Sequence, residues 1–201
     1  MPSIHQLPAD DFDALVFDWD GTLADTLTAH YTAMSTVLAP HGLTVDADWY
    51  ATATGMSTDE AVLWLSRHQN VELTLPVADL VEQCEAAYLG QLDKVREITA
   101  VADIARAGHG RMPMAVASGG RRRSIVATMK HLALDALFDV VVSREDVRRG
   151  KPEPDIFLAA AAALDVPPAR CLVLEDSEAG FAAAERASMT VIDIRRHLHH
   201  A

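Results

Sequence analysis

The sequence predicts an α/β fold: a parallel sheet flanked by helices, with a helical insert placed after the first strand. Three observations predict it. An apolar run, Ala14 to Phe17, stands near the start of the chain and is too short for a helix. From about residue 98 onward, similar short apolar runs alternate with helix-like stretches. Between the two lie about 70 residues that carry helical patterns and no strand signal. Strands that alternate with helices form βαβ units, and those build parallel sheets.

The elements follow in order. Ala14 to Phe17 reads as a buried strand. Asp25 and Thr26 offer a helix cap, and Leu27 to Leu38 forms the helix, ended by Pro40 and Gly42. Asp46–Ala53, Thr58–His68 and Val77–Val95 are the helices of the insert, with Asn70 to Pro76 as a loop. Met56, Val62, Leu63, Trp64 and Leu65 are expected to form one small apolar cluster there. Ala100–Ala107 is helical, stopped by Gly108 and Gly110. Met114 to Ala117 is the second strand, Arg121–His131 a helix and Phe138–Val142 the third strand. Gly150 to Pro154 breaks the chain before the helix Asp155–Ala163. After Pro167 and Pro168, Cys171–Leu174 is the fourth strand, Glu178–Ala187 a helix and Thr190–Ile194 the fifth strand.

In open parallel sheets, ligands bind outside the carboxyl ends of the strands. The polar residues of note fall there: Asp18 and Asp20 after the first strand, Ser118 after the second, Glu175 and Asp176 after the fourth. Lys151 precedes a helix on the same rim. Asp18 and Asp20 are spaced i, i+2, so on an extended segment both side chains leave on one side. Gly21 lets the chain turn directly after them. Two carboxylates this close stay ionised only beside a cation. Hard oxygen donors that also meet a phosphate suit Mg²⁺.

Composition sets outer limits. With 17 Lys and Arg against 29 Asp and Glu, the formal charge of −12 argues against nucleic acid or an anionic membrane as partner. Any anionic ligand would then have to be drawn in by local cations. The two cysteines, Cys84 and Cys171, lie far apart and outside metal-type spacings, which suits buried thiols in a reducing compartment. Residues 1–13 are polar and acidic, unlike a leader peptide, and no apolar run approaches the ~18 residues that span a bilayer. The expectation is a cytoplasmic protein and a monomer. His197, His199 and His200 read as a tail rather than a metal site.

Phe17-Asp18-Trp19-Asp20-Gly21-Thr22-Leu23-Ala24-Asp25-Thr26, directly after an apolar strand, resembles the nucleophile motif of the haloacid dehalogenase superfamily. Ser118, Lys151-Pro152-Glu153-Pro154-Asp155-Ile156-Phe157 and Leu174-Glu175-Asp176-Ser177-Glu178-Ala179-Gly180 match its further motifs in order. The style is that of the β-phosphoglucomutase-like subfamily. Gly108 to Val116 is similar to bacterial phosphatases acting on fructose 1-phosphate and related sugar phosphates, including 6-phosphogluconate.

The resemblance implies a Rossmann-like core of residues 1–26 and 96–201, with 27–95 as an α-helical cap hinged near 24–28 and 94–98. It implies a Mg²⁺-dependent phosphomonoesterase acting on a small phosphate ester. Asp18 would be the nucleophile and Asp20 the general acid and base. Asp18, the Asp20 carbonyl and Asp176 would hold Mg²⁺, with Glu175 behind them. Ser118 and Lys151 would grip the phosphate, and Thr22, Gly119 and Arg122 would lie at or behind the substrate. In the cap, His30 would face the site, and the loop at Gly55 would reach the sugar. Where the mutases carry an arginine for a distal phosphate, this chain has Thr58. That departure favours a monophosphatase over a β-phosphoglucomutase. The remaining reading is a catalytically idle binding scaffold, against which the intact Asp18, Asp20, Lys151 and Asp176 stand.

Overall fold

The computed structural model describes residues 11–53 and 56–198. Gly55 therefore lies outside the described residues, as do His199 and His200. The elements in chain order are β1 (Ala14–Phe17), β2 (Ala24–Asp25), α1 (Leu27–Leu38), α2 (Ala47–Thr52), α3 (Thr58–Gln69) and α4 (Val77–Leu89). They continue with β3 (Arg96–Glu97), α5 (Thr99–Gly108), β4 (Met114–Ala117), α6 (Arg122–His131), β5 (Val140–Val142) and α7 (Asp155–Leu164). The chain closes with β6 (Cys171–Glu175), α8 (Glu178–Arg186), β7 (Thr190–Asp193) and α9 (Arg195–Leu198). It divides into two compact units, Met1–Asp25 with Arg96–Ala201, and Thr26–Val95.

The first unit holds a five-stranded parallel sheet in the order β5-β4-β1-β6-β7. Its central strands are buried on both faces, so they read as unbroken apolar runs rather than as an alternation. One face is formed by Ala14, Val16, Ala115, Ala117 and Val173, which pack against Ile156, Phe157, Ala160 and Ala161 of α7 and Ala183 and Ala184 of α8. On the other, a side chain added to Gly108 would press on Met114 and Leu15, so α5 runs close against the sheet there. Gly108 thus belongs to α5 as a packing residue; the chain turns at Gly110, whose φ is +71°.

Register decides where the strands stop together. Phe17 lies opposite Val116 on one side and Leu174 on the other. Asp18 and Glu175 are therefore the next pair along, and Asp18 N–H still donates to the Leu174 carbonyl. The chain moves outward from β1 through β4 to β5, then returns to β6 on the opposite side of β1. That reversal beside β1 is where such sheets open a crevice.

The second unit is built from α1 to α4. Met34, Leu38, Leu43, Val45, Ala61, Val62, Leu65, Leu80 and Cys84 form its core. The expected cluster is only half present. Met56, Leu63 and Trp64 are 40%, 36% and 36% exposed: Met56 precedes α3, and Leu63 and Trp64 turn away from the face that Ala61, Val62 and Leu65 share. Trp64 stacks instead on Trp49 and His68 along the helix flank.

Other expectations shift at the ends. The helix expected over Val77–Val95 stops at Leu89 before Gly90, and the chain resumes as a tight turn at Leu92–Lys94. The third strand begins at Val140 rather than Phe138, whose ring meets Phe17 edge-on at 5.5 Å. The antiparallel pair β2 and β3 was not expected; two residues each are too few for a period to show. Thr26 occupies the cap position of α1 but makes no side-chain capping bond to that helix, whereas Asp46 does cap α2 by accepting from Trp49 N–H.

Candidate active site

Asp18 and Lys151 form the centre of the site. Lys151 Nζ lies 2.5 Å from Asp18 Oδ1 and 2.7 Å from Glu175 Oε2, and the three side chains are almost entirely withdrawn from water. The Phe157 ring lies 5.0 Å from the same ammonium, close enough for a cation–π contact. Asp18 arrives at the end of β1, Glu175 at the end of β6, and Lys151 from the loop before α7.

Glu175 is held from several sides. Its Oε1 accepts from Asp176 N–H at 3.1 Å, Ser177 N–H at 2.9 Å and the Ser177 hydroxyl at 2.8 Å, while Oε2 takes the Lys151 ammonium. Ser177 also caps α8 by accepting from Gly180 N–H. Asp176 accepts from the buried Thr22 hydroxyl at 2.9 Å. Its carboxylate lies over Gly21, where any Cβ would collide with it; Gly21 has φ of +86°, a conformation that also favours glycine.

Asp20 faces a different neighbour. The Ser118 hydroxyl donates to Asp20 Oδ2 at 3.1 Å and accepts from Gly120 N–H at 2.9 Å. Ser118 is therefore a bridge to Asp20; the capping position of α6 is Arg121. Gly119 has open space where a side chain would be.

The electrostatics of the centre are those of an anion excess. Burial, then the charge of Glu175, pushes the Asp18 carboxyl well above its usual range, against the pull of Lys151. The same two causes push Asp176 up to about 6. Burial favours a neutral Lys151, but Asp18 and Glu175 outweigh it and hold the ammonium charged.

Carboxylate oxygens of Asp18, Glu175 and Asp176 lie within 4.8 Å of one another. One ammonium against this group leaves surplus negative charge on two buried carboxylates and one half-buried one, and the donors are all hard oxygens. A divalent cation such as Mg²⁺ fits that set. Glu175 enters the cluster where the sequence pointed to Asp20. The Asp20 carboxylate is engaged by Ser118, so only its backbone carbonyl is left for the role that the resemblance gave it.

Three further expected residues have surroundings of their own. Arg122 donates to Asp146 at 2.5 Å and to the Val141 carbonyl at 2.9 Å, so its guanidinium is tied to β5 and the turn that follows it. His30 stacks face to face on Tyr88, centroids 3.8 Å apart, within the helical unit. Thr58 opens α3 in that same unit. Sequence reasoning passed over Ser177, Gly180 and Phe157. Their signal lay in the same short motifs, at the third and sixth places of Glu-Asp-Ser-Glu-Ala-Gly and the last of Lys-Pro-Glu-Pro-Asp-Ile-Phe.

Residues 12–188 match the haloacid dehalogenase-like hydrolase family. The chain belongs to that family. It is an enzyme, a phosphatase among those hydrolases. It is similar to the fructose-1-phosphate phosphatase YqaB of Escherichia coli, 36% identical over 188 residues that cover 92% of this chain and 97% of the relative. It is 28% identical to the β-phosphoglucomutase of Bacillus subtilis, over 90% of this chain and 82% of that one. Among solved structures, CbbY from Rhodobacter sphaeroides in complex with phosphate superposes with a TM-score of 0.81 at 30% identity, covering 90% and 84% of the two chains. Among the described residues no helix is long and apolar enough to cross a membrane.

Proposed function

We propose that this hydrolase is a Mg²⁺-dependent phosphomonoesterase that acts on a small sugar phosphate of the fructose 1-phosphate kind, through an aspartyl-phosphate intermediate. The observation that carries the reading is the division of labour between the two aspartates. Asp18 faces the Lys151 ammonium, whereas Asp20 faces the Ser118 hydroxyl. One carboxylate is thus kept beside positive charge and the other beside a neutral donor.

In this reading an Asp18 oxygen attacks phosphorus and the ester P–O bond breaks. Asp20 gives its proton to the departing alkoxide. Asp20 then takes a proton from water as the water oxygen attacks phosphorus, and phosphate leaves with Asp18 restored. Lys151 and Ser118 hold phosphate oxygens, the ammonium offsetting their charge. Asp18, Asp176 and the Asp20 carbonyl would hold Mg²⁺, which when bound neutralises charge on the carboxylate and the phosphoryl oxygens.

Residues 27–95 serve as the cap over this rim, with His30 and Thr58 in the part that selects the sugar. Thr58 in place of a phosphate-clamping arginine supports hydrolysis over phosphoryl return to the sugar. The similarity to YqaB, a fructose-1-phosphate phosphatase, supports the choice of fructose 1-phosphate. The protein is proposed to work in the cytoplasm as a monomer, without nucleic acid or membrane partners.

The test is phosphate release from a panel of sugar phosphates, including fructose 1-phosphate and 6-phosphogluconate, with MgCl₂ and with EDTA. Mg²⁺-dependent release from fructose 1-phosphate is expected. A coupled assay with β-glucose 1-phosphate accompanies it; glucose 6-phosphate formed faster than phosphate is released would overturn the choice of hydrolysis.

A further inference from the structure

We infer that Gly180 is a positioning residue for the nucleophile: its missing side chain is the slot that holds Glu175, and through Glu175 it fixes the Lys151 ammonium against Asp18. The inference rests on the reading of Asp18 as nucleophile. Its basis is steric. A Cβ built on Gly180 would fall on top of the Glu175 Cδ, Cγ and Oε2 atoms. These belong to a fully buried side chain with nowhere to withdraw, since its other oxygen is held by Asp176 N–H, Ser177 N–H and the Ser177 hydroxyl.

Gly180 lies in the first turn of α8, with an N–H that donates to Ser177 Oγ at 3.0 Å. No left-handed backbone requires glycine there, because Gly180 is not among the positive-φ residues. A helix interior also disfavours glycine relative to alanine. Space for Glu175 is the remaining reason for it. Glu175 Oε2 in turn takes the Lys151 ammonium at 2.7 Å, and the Phe157 ring closes another side of that ammonium. Moving the Glu175 carboxylate moves the cation that Asp18 faces.

The experiment compares the wild-type protein, Gly180→Ala, Glu175→Asp and the double variant. The readouts are kcat and KM for fructose 1-phosphate and para-nitrophenyl phosphate in MgCl₂, and metal-free melting temperature. The shorter Glu175→Asp side chain frees the slot. Gly180→Ala alone is expected to lower kcat by about tenfold or more while KM stays within about twofold. It is also expected to lower the melting temperature although alanine is the better helix former. In the Glu175→Asp background the same change is expected to cost no further rate and to raise the melting temperature.

An equal cost in both backgrounds would overturn the inference, as would a wild-type rate with a higher melting temperature in Gly180→Ala. Recovery of the Gly180→Ala rate by excess MgCl₂ would overturn it too, since Glu175 would then be serving the ion. Folding of the double variant where Gly180→Ala alone fails supports the inference; failure of both to fold sinks it. If the wild-type enzyme hydrolyses neither ester, the proposed function falls, while the melting cycle still decides the place of Gly180.

Discussion

Lys151 Nζ stands 2.5 Å from Asp18 Oδ1, and neither side chain meets bulk water. Among the described residues, this ammonium is the group that forms ion pairs with both Asp18 and Glu175. Lys151→Met removes it and leaves two buried carboxylates facing each other. A loss of about 3–5 kcal/mol in urea unfolding is expected for such an orphaned buried charge. Phosphate release is expected to fall below detection in the same variant.

Asp18→Asn separates chemistry from folding. The carboxyl of Asp18 is already pushed up by burial and by Glu175, so an amide of the same shape removes repulsion. Turnover is expected to vanish, with a metal-free melting temperature equal to or above that of the wild-type protein. Residual turnover at the wild-type rate would exclude Asp18 as nucleophile.

Asp176 sets a pH dependence in the metal-free protein. Its folded pKa of about 6 lies above the ordinary 3.8, so between these values the native state binds more protons than the unfolded chain. Stability therefore falls as pH rises through that window, and the ionised carboxylate is a burden above it. Added MgCl₂ should offset that burden, with a larger gain in melting temperature at pH 7.5 than at pH 5. Scanning calorimetry at the two values, with and without MgCl₂, checks the sign.

Cys84 and Cys171 are both buried and free, and burial pushes their thiols up to about 11. Almost no thiolate exists at pH 8, and neither sulfur is open to reagent. Ellman's reagent should label neither cysteine in the native protein and both after addition of guanidinium chloride. Rapid labelling of the native protein would contradict the packing around one of them.

Arg122 bears on how the site was read from the chain. Because its guanidinium holds Asp146 and the Val141 carbonyl, Arg122→Ala is expected to leave KM for fructose 1-phosphate within about twofold of wild type. A tenfold or greater rise in KM would return Arg122 to the substrate.

Most of the candidate site was legible because its signals are local. An apolar run that ends in Asp18 and Asp20 states both the strand and the side on which its acids emerge. The same holds for Leu172 to Asp176. Short glycine- and proline-marked loops then place Ser118 and Lys151 beside those ends, once the strands are parallel. The sequence could not decide Arg122, because basic residues after a strand look alike whether they meet a ligand or a neighbouring carboxylate. Leu63 and Trp64 misled because successive helix residues point about 100° apart, so the four apolar residues from Val62 to Leu65 spread around the helix and cannot all face its buried side.

By itself, then, the sequence determined the alternation of strands and helices, the helical insert, and the acids and lysine at the strand ends. All of these depend on spacing along the chain. Only the tertiary structure decided the partnerships: Lys151 with Glu175 as well as Asp18, Asp20 with Ser118, and Gly180 with the carboxylate it makes room for. The reason is physical. Partnerships across a sheet depend on register and on which volumes are left empty, and both are settled only when distant segments pack.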